Sequence, residues 1–181
     1  MRTAAVLPSD AAAGRMALAI LVPLAAALAQ ASLIPAVTPL GLRPNLPVVV
    51  AGCWSIAAGA GEGAWWAFVG GLASDLLASG PLGALALSAL PPVASIGLGA
   101  RSPARSTGVF AAAALVGGAV LAAALVYAGL LGSTGQPLPP PTAVVADALG
   151  SALFSGVIAL GAYPAARIIA RLTEKRSTFG W

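Results

Sequence analysis

Two carboxylates stand inside sequence that is otherwise apolar, and they are the groups most able to do chemistry: Asp75 in "GGLASDLLASGPLGALAL" and Asp147 in "VVADALGSALFSG". Between Gly63 and Ala100 no other Asp, Glu, Lys or Arg occurs, so Asp75 has no charged neighbour along the chain. An ionisable group in an apolar segment is a functional candidate by default, because its desolvation has to be offset by a partner. The residues after Asp75 suggest that partner. Gly80 permits a tight turn, Pro81 suits the first position of a helix, and the free amides near Leu82 and Gly83 can bind a carboxylate. Asp75 reads as the pin of a helix-turn-helix corner, with contact to a ligand or a partner as its other possible role. Asp147 stands near the start of another apolar run, where the helix macrodipole favours an anion, and is expected to face the bundle. Whether the two acids share one outward pocket is open. Glu62, in "GAGEGA", reads as a solvated residue of a turn.

The rest of the inventory is short. Cys53 is the only cysteine and there is no histidine, which excludes an intramolecular disulfide, a zinc or haem site built from Cys and His, and any triad relying on an imidazole base. No catalytic residue, cofactor or metal is expected, and the chain is not expected to be an enzyme.

The elements that carry these residues belong in lipid. Of 181 residues 59% are hydrophobic and 8% charged, against about 25% charged in soluble domains, and the mean hydropathy is +0.96. The predicted fold class is all-α: a polytopic membrane protein, a compact bundle of six transmembrane helices. Expected spans are Met16 to Val37, two short spans within Leu46 to Ala78 reversing near Gly61, Leu82 to Ala100 kinked at Pro91 and Pro92, Gly108 to Leu131, and Ala143 to Ile169. A single helix over Leu46 to Ala78 would be about 50 Å long against roughly 30 Å of hydrocarbon, so five spans is the less favoured alternative. The domain plan is a cytoplasmic segment over 1–15, the helical domain over 16–172 and a basic cytoplasmic tail over 173–181.

Basic residues orient the bundle, since Lys and Arg near short loops concentrate in the cytoplasm. With six spans and an inside N-terminus, Arg2, Arg15, Arg101, Arg105, Arg167, Arg171, Lys175 and Arg176 fall inside and only Arg43 outside. The five-span scheme leaves Arg2 and Arg15 outside instead. Both put the C-terminus in the cytoplasm. The basic residues are scattered between apolar runs, so nucleic acid is not an expected partner; membrane lipid is. "LAAALAQA" has small residues at a signal-peptidase spacing, but the apolar run continues to Val37, which suits a retained span better. Trp65, Trp66, Tyr127 and Tyr163 fall near expected interfaces, Trp54 at mid-span. Gly63, Gly70, Gly71, Gly117, Gly118, Ala146, Gly150, Ser151 and Ser155 are small enough to let helices approach closely.

The order of features in the first half resembles the rod shape-determining protein MreD family. A first span ends in a glutamine before small residues, here "LAQASLIP" with Gln30. A Pro-Asp-Leu-like start of the second span is here Pro44, Asn45 and Leu46, with Asn45 in place of the usual acid. A Gly-Leu-x-x-Asp pattern before Pro-Leu-Gly is here Gly71, Leu72, Asp75, Pro81, Leu82 and Gly83. The resemblance covers roughly Ala29 to Ala86; the second half matches only in length and hydropathy. It implies a non-enzymatic scaffold subunit of the cell-elongation complex in the bacterial inner membrane, which supports side-wall peptidoglycan synthesis and cell shape. The partners implied are the bitopic protein MreC first, then the filament protein MreB, the glycosyltransferase RodA and its transpeptidase partner. By the same resemblance Asp75, Pro81 and Gly83 form the corner that shapes a docking surface.

The rival expectation is the substrate-binding S-component of a vitamin-uptake transporter. Such subunits are similarly small six-helix proteins that dock through an Ala-x-x-x-Ala face, a spacing met here by Ala25 and Ala29. A vitamin pocket needs converging polar or aromatic side chains, and the outer halves offer little beyond Asp75, Asp147 and Tyr127.

Overall fold

Glycines and prolines divide the apolar sequence into helices, and the residues at each break set where one helix stops and how the next begins. The computed structural model describes residues 8–32, 43–78, 80–100 and 107–177. Its helices are α1 (Pro8–Ser32), α2 (Leu46–Ala58), α3 (Ala60–Leu77), α4 (Ala84–Ala100), α5 (Val109–Ser133) and α6 (Pro141–Ser177), and no strand occurs among the described residues. The expected end of the first span at Val37 lies outside the described residues, as do Arg2, Arg101 and Arg105.

Asn45 caps α2: the Val48 amide donates to its Oδ1 at 3.2 Å, and Pro47 in the first turn has no amide to satisfy. The helix stops at Gly59, whose φ of 112° suits glycine alone, and this one residue reverses the chain into α3. The reversal therefore sits two residues before Gly61, which belongs to the first turn of α3. No single helix spans Leu46 to Ala78. The two helices run back antiparallel, with Gly63 against Ser55 and Gly70 against Pro47. The α3–α4 pair is also antiparallel, Gly71 lying against Ala86. Helix α4 begins at Ala84 and not at Leu82, because Leu82 and Gly83 (φ 88°) form the turn. It continues unbroken through Pro91 and Pro92, which remove the donors that the Leu87 and Ser88 carbonyls would otherwise meet. Close glycine contacts join α5 to α6: a Cβ on Gly117 would stand 3.1 Å from the Ala152 carbonyl oxygen.

Helix α2 touches all five others, which follow one another round it in the order α1, α3, α4, α5, α6; the contact of α6 with α1 that closes this ring is the slightest. Eight of the 13 residues of α2 are buried, as expected of a helix that is apolar all round. Val49 on it belongs with Val93, Val116 and Val120 to one buried core cluster, and alanine is the commonest residue of that core. The outward faces are apolar as well, with Met16, Leu21, Leu76, Leu87, Phe110 and Leu153 exposed. Three stretches, Gly14–Ser32, Val109–Ser133 and Pro141–Thr173, are long and apolar enough to cross a membrane, while α2 and α4 are shorter apolar helices. At 1.5 Å per residue α2 covers about 20 Å, less than the hydrocarbon thickness. Among the small residues expected at helix contacts, Gly118 has nothing within 4 Å of where a Cβ would stand, and Ala146 is exposed.

Candidate functional site

Gly71 and Asp75 are four residues apart and share one face of α3, which turns toward the start of α4. The Gly83 and Ala86 amides donate to Asp75 Oδ2 at 3.0 and 3.3 Å, and the Leu85 amide donates to Oδ1 at 3.1 Å. Leu85 and Ala86 lie in the first turn of α4, where amides have no acceptor within their own helix. The carboxylate, 2% exposed, thus caps a neighbouring helix from the end of its own. Gly71 makes the approach possible, since a Cβ there would collide with the Ala86 backbone. Leu72 is half-buried. Pro81 is not at the first helical position but in the turn before it, its carbonyl accepting from Ala84 at 3.3 Å. Leu82 projects outward at 70% exposure.

The start of α2, beside this corner, is completed in the same way. The Leu46 amide donates to Gln30 Oε1 on α1 at 2.6 Å, and the Asn45 amide donates to Ser155 Oγ on α6 at 3.0 Å. With Asn45 capping Val48, the first-turn donors of α2 are all met by side chains. Pro44 is fully buried beneath them. Gln30, Asn45, Gly71, Ser74 and Leu85 border one enclosed space of about 20 Å³, room for at most a single water. Residues far apart in sequence, from Gln30 to Leu85, therefore meet at one end of the bundle.

The opposite end holds what the sequence reading misses. Glu62 is not simply solvated: Oε1 pairs with Arg15 on α1, and the Trp54 indole N–H donates to Oε2 at 3.0 Å. Trp54 stacks on Trp66, with ring centroids 4.3 Å apart and planes 7° from parallel, and both are buried. Trp66 is thus a core residue and not an interface anchor; Trp65, 49% exposed, is the ring that faces outward. Tyr163, also buried, donates its hydroxyl to the Thr107 carbonyl at 3.1 Å. Ser55, fully buried, donates to the Val93 carbonyl at 2.8 Å and touches both Gly63 and Gly97. The available signal for Ser55 is a lone hydroxyl in an apolar run followed by glycines on two later helices.

Asp147 does not join Asp75. Helix α6 begins at Pro141, so Asp147 stands nearly two turns in, beyond the reach of the macrodipole. It is exposed and lines an open groove of about 700 Å³ with Arg43, Tyr127, Ser151 and a wall of alanines, Leu131, Leu138 and Val144. Arg43 also borders a second hollow of about 270 Å³ with Gln30, Ser74 and Leu85. Among the described residues no group of three or more His, Cys, Asp or Glu side chains is placed to hold a metal.

Compared with known proteins, the chain matches no family model, no curated protein and no solved structure.

Proposed function

We propose that this chain is a non-enzymatic, six-span scaffold of the bacterial cell-elongation complex, with both termini in the cytoplasm, and that it binds a partner's transmembrane segment such as that of MreC. The observation that carries this reading is the convergence of Gln30, Asn45, Gly71 and Asp75 on one junction. These four are among the residues that carry the resemblance to the MreD family: the Gln30 and Asp75 side chains and the Asn45 amide tie one helix to another, and Gly71 lets α3 and α4 approach. A bundle whose polar residues brace its own helix ends, and whose outer faces are apolar, is suited to hold another helix in lipid. Charge placement supports the orientation: Arg15 pairs with Glu62 at the end where α6 carries Arg167 and Arg171, whereas Arg43 stands at the other end beside Asp147.

A second reading, a substrate-capture subunit of a transporter, draws on the groove that brings Arg43 to Tyr127 and Asp147, and on Ala25, which is exposed on α1. Affinity purification of the C-terminally tagged chain from its native membrane in mild detergent, followed by mass spectrometry, separates the two. Co-purification of MreC or the elongation synthase is the expected result. Recovery of transporter ATPases without them would overturn the scaffold reading in favour of the second.

A further inference from the structure

We propose that the groove between α5 and α6 binds an aminophospholipid, its phosphate on Arg43 and its primary ammonium on Asp147. The proposal rests on the chain lying in a bilayer and not on its membership of any complex.

Shape and chemistry point to the same occupant. The groove, about 700 Å³, falls within the usual range of ligand sites, roughly 300–1,000 Å³. Alanines at 124, 128, 143, 146 and 148 line it, side chains too short to fill it. Its wall is apolar along Leu131, Leu138 and Val144, and its polar groups are Arg43, Tyr127, Asp147 and Ser151. That is the lining an amphiphile requires: an apolar side for a chain and a polar side for a headgroup.

The charges specify the headgroup. Arg43 and Asp147 line the same groove without forming an ion pair with each other, whereas the pair at the other end of the bundle, Arg15 with Glu62, is closed. Two opposite charges that line one groove and are not closed on each other are complementary to a zwitterion. An anionic headgroup would satisfy Arg43 and be repelled by Asp147. A choline headgroup carries a positive charge but no N–H, so it cannot donate to a carboxylate, whereas a primary ammonium has three donors and forms a charge-assisted hydrogen bond. Tyr127, half-buried near the end of α5, is the kind of ring that settles at headgroup depth. Arg43 also borders the hollow lined by Gln30, Ser74 and Leu85, so a phosphate held on Arg43 would lie next to the place where α1, α3 and α4 meet.

The test uses the purified full chain in detergent, without other subunits, so its failure leaves the proposed function standing. Native mass spectrometry measures retention of dioleoylphosphatidylethanolamine, dioleoylphosphatidylcholine and dioleoylphosphatidylglycerol, with glycerophosphoethanolamine as a free-headgroup competitor. The expected result is roughly tenfold preferential retention of the ethanolamine lipid, the discrimination that one charge-assisted hydrogen bond supplies. Asp147→Asn should bring that lipid down to the level of the choline lipid. Arg43→Gln should lower both. Ala143→Phe, which fills the groove and leaves the charges in place, should lower all three. Thermal midpoints in lipid-free detergent, unchanged in Asp147→Asn and Ala143→Phe, show that the fold is intact. Equal retention of the three lipids by the unmodified chain, or a preference that survives Asp147→Asn, would overturn the proposal. Competition by glycerophosphoethanolamine as effective as that by the intact lipid would also overturn it, in favour of a soluble zwitterion.

Discussion

The α3–α4 corner and the α5–α6 hairpin each carry one acid toward the same end of the bundle, and only the first acid is absorbed into the fold. Asp75 lies two residues before the end of α3, so the next helix presents its free amides to it across a connection of six residues, 78–83. Asp147 lies after the start of its helix and meets no crossing helix N-terminus among the described residues. The seven-residue connection before it, 134–140, holds prolines that have no amide to offer. Whether an acid in an apolar helix is structural thus depends on which side of a turn it occupies. The two hairpins differ in their ties too. Side-chain hydrogen bonds hold α3 to α4, while the α5–α6 pair packs glycine against backbone, and its side-chain tie is Tyr163 to the Thr107 carbonyl at the far end.

Breaking the corner sterically should cost the most. Gly71→Ala sets a methyl against the Ala86 backbone and forces α3 and α4 apart, which also draws Asp75 off its amides; the expected loss exceeds about 3 kcal/mol. Gly117→Ala in the other hairpin meets a single carbonyl oxygen at 3.1 Å and should cost about 1 kcal/mol. Unfolding in mixed micelles measures both, and equal losses would show that the corner is no more tightly packed than the hairpin.

Removing the carboxylate comes next. Asp75→Leu leaves the Gly83, Leu85 and Ala86 amides without their acceptor, a loss of about 3 kcal/mol. Asp75→Asn keeps one acceptor oxygen but turns an amide donor toward backbone donors, and should lose roughly half as much. Equal yields of detergent-stable protein from the two variants would count against the capping role. At the opposite end, Glu62→Ala strips the Trp54 indole of its acceptor and opens the ion pair to Arg15. The buried N–H makes this a loss of about 2 kcal/mol. Glu62→Gln keeps the indole's acceptor and loses only a partly exposed ion pair, worth about 0.5 kcal/mol. Tryptophan fluorescence during unfolding separates these variants, because the Trp54–Trp66 stack should loosen only in Glu62→Ala.

How much of this is legible in sequence depends on whether the partner lies nearby along the chain. The division of the described residues into six helices follows from the glycine and proline breaks, which act locally. The corner after Asp75 is written in adjacent residues, although the amides it meets are those of Gly83, Leu85 and Ala86, where sequence pointed to Leu82 and Gly83. The reversal fell at Gly59 and not at Gly61 because three glycines in five residues offer equal freedom, and packing of Gly63 on Ser55 selects among them. Arg15 with Glu62, Trp54 with Trp66 and Asn45 with Ser155 were not legible, since each depends on which helices are neighbours round α2. Hydropathy cannot supply that order: a helix that is apolar on every side reads the same whether it is surrounded by lipid or, as α2 is, by five other helices.

The smallest effect is the sharpest test of the comparison. Asp147 is exposed, forms no hydrogen bond with another described side chain, and lines an open groove. If the fold has no use for it, Asp147→Leu in lipid-free detergent should change stability by no more than about 0.5 kcal/mol in either direction, the range of surface substitutions away from structural ties. The same substitution at position 75 costs several times more, because three amides lose their acceptor there, although the two acids lie toward the same end of the bundle in helices of similar character. A loss at Asp147 comparable to that at Asp75 would mean that the carboxylate braces the α5–α6 connection, and the distinction drawn from the two turns would fail. A neutral result leaves an acid that the protein retains in an apolar helix without needing it to fold, and a group of that kind is kept for what it binds.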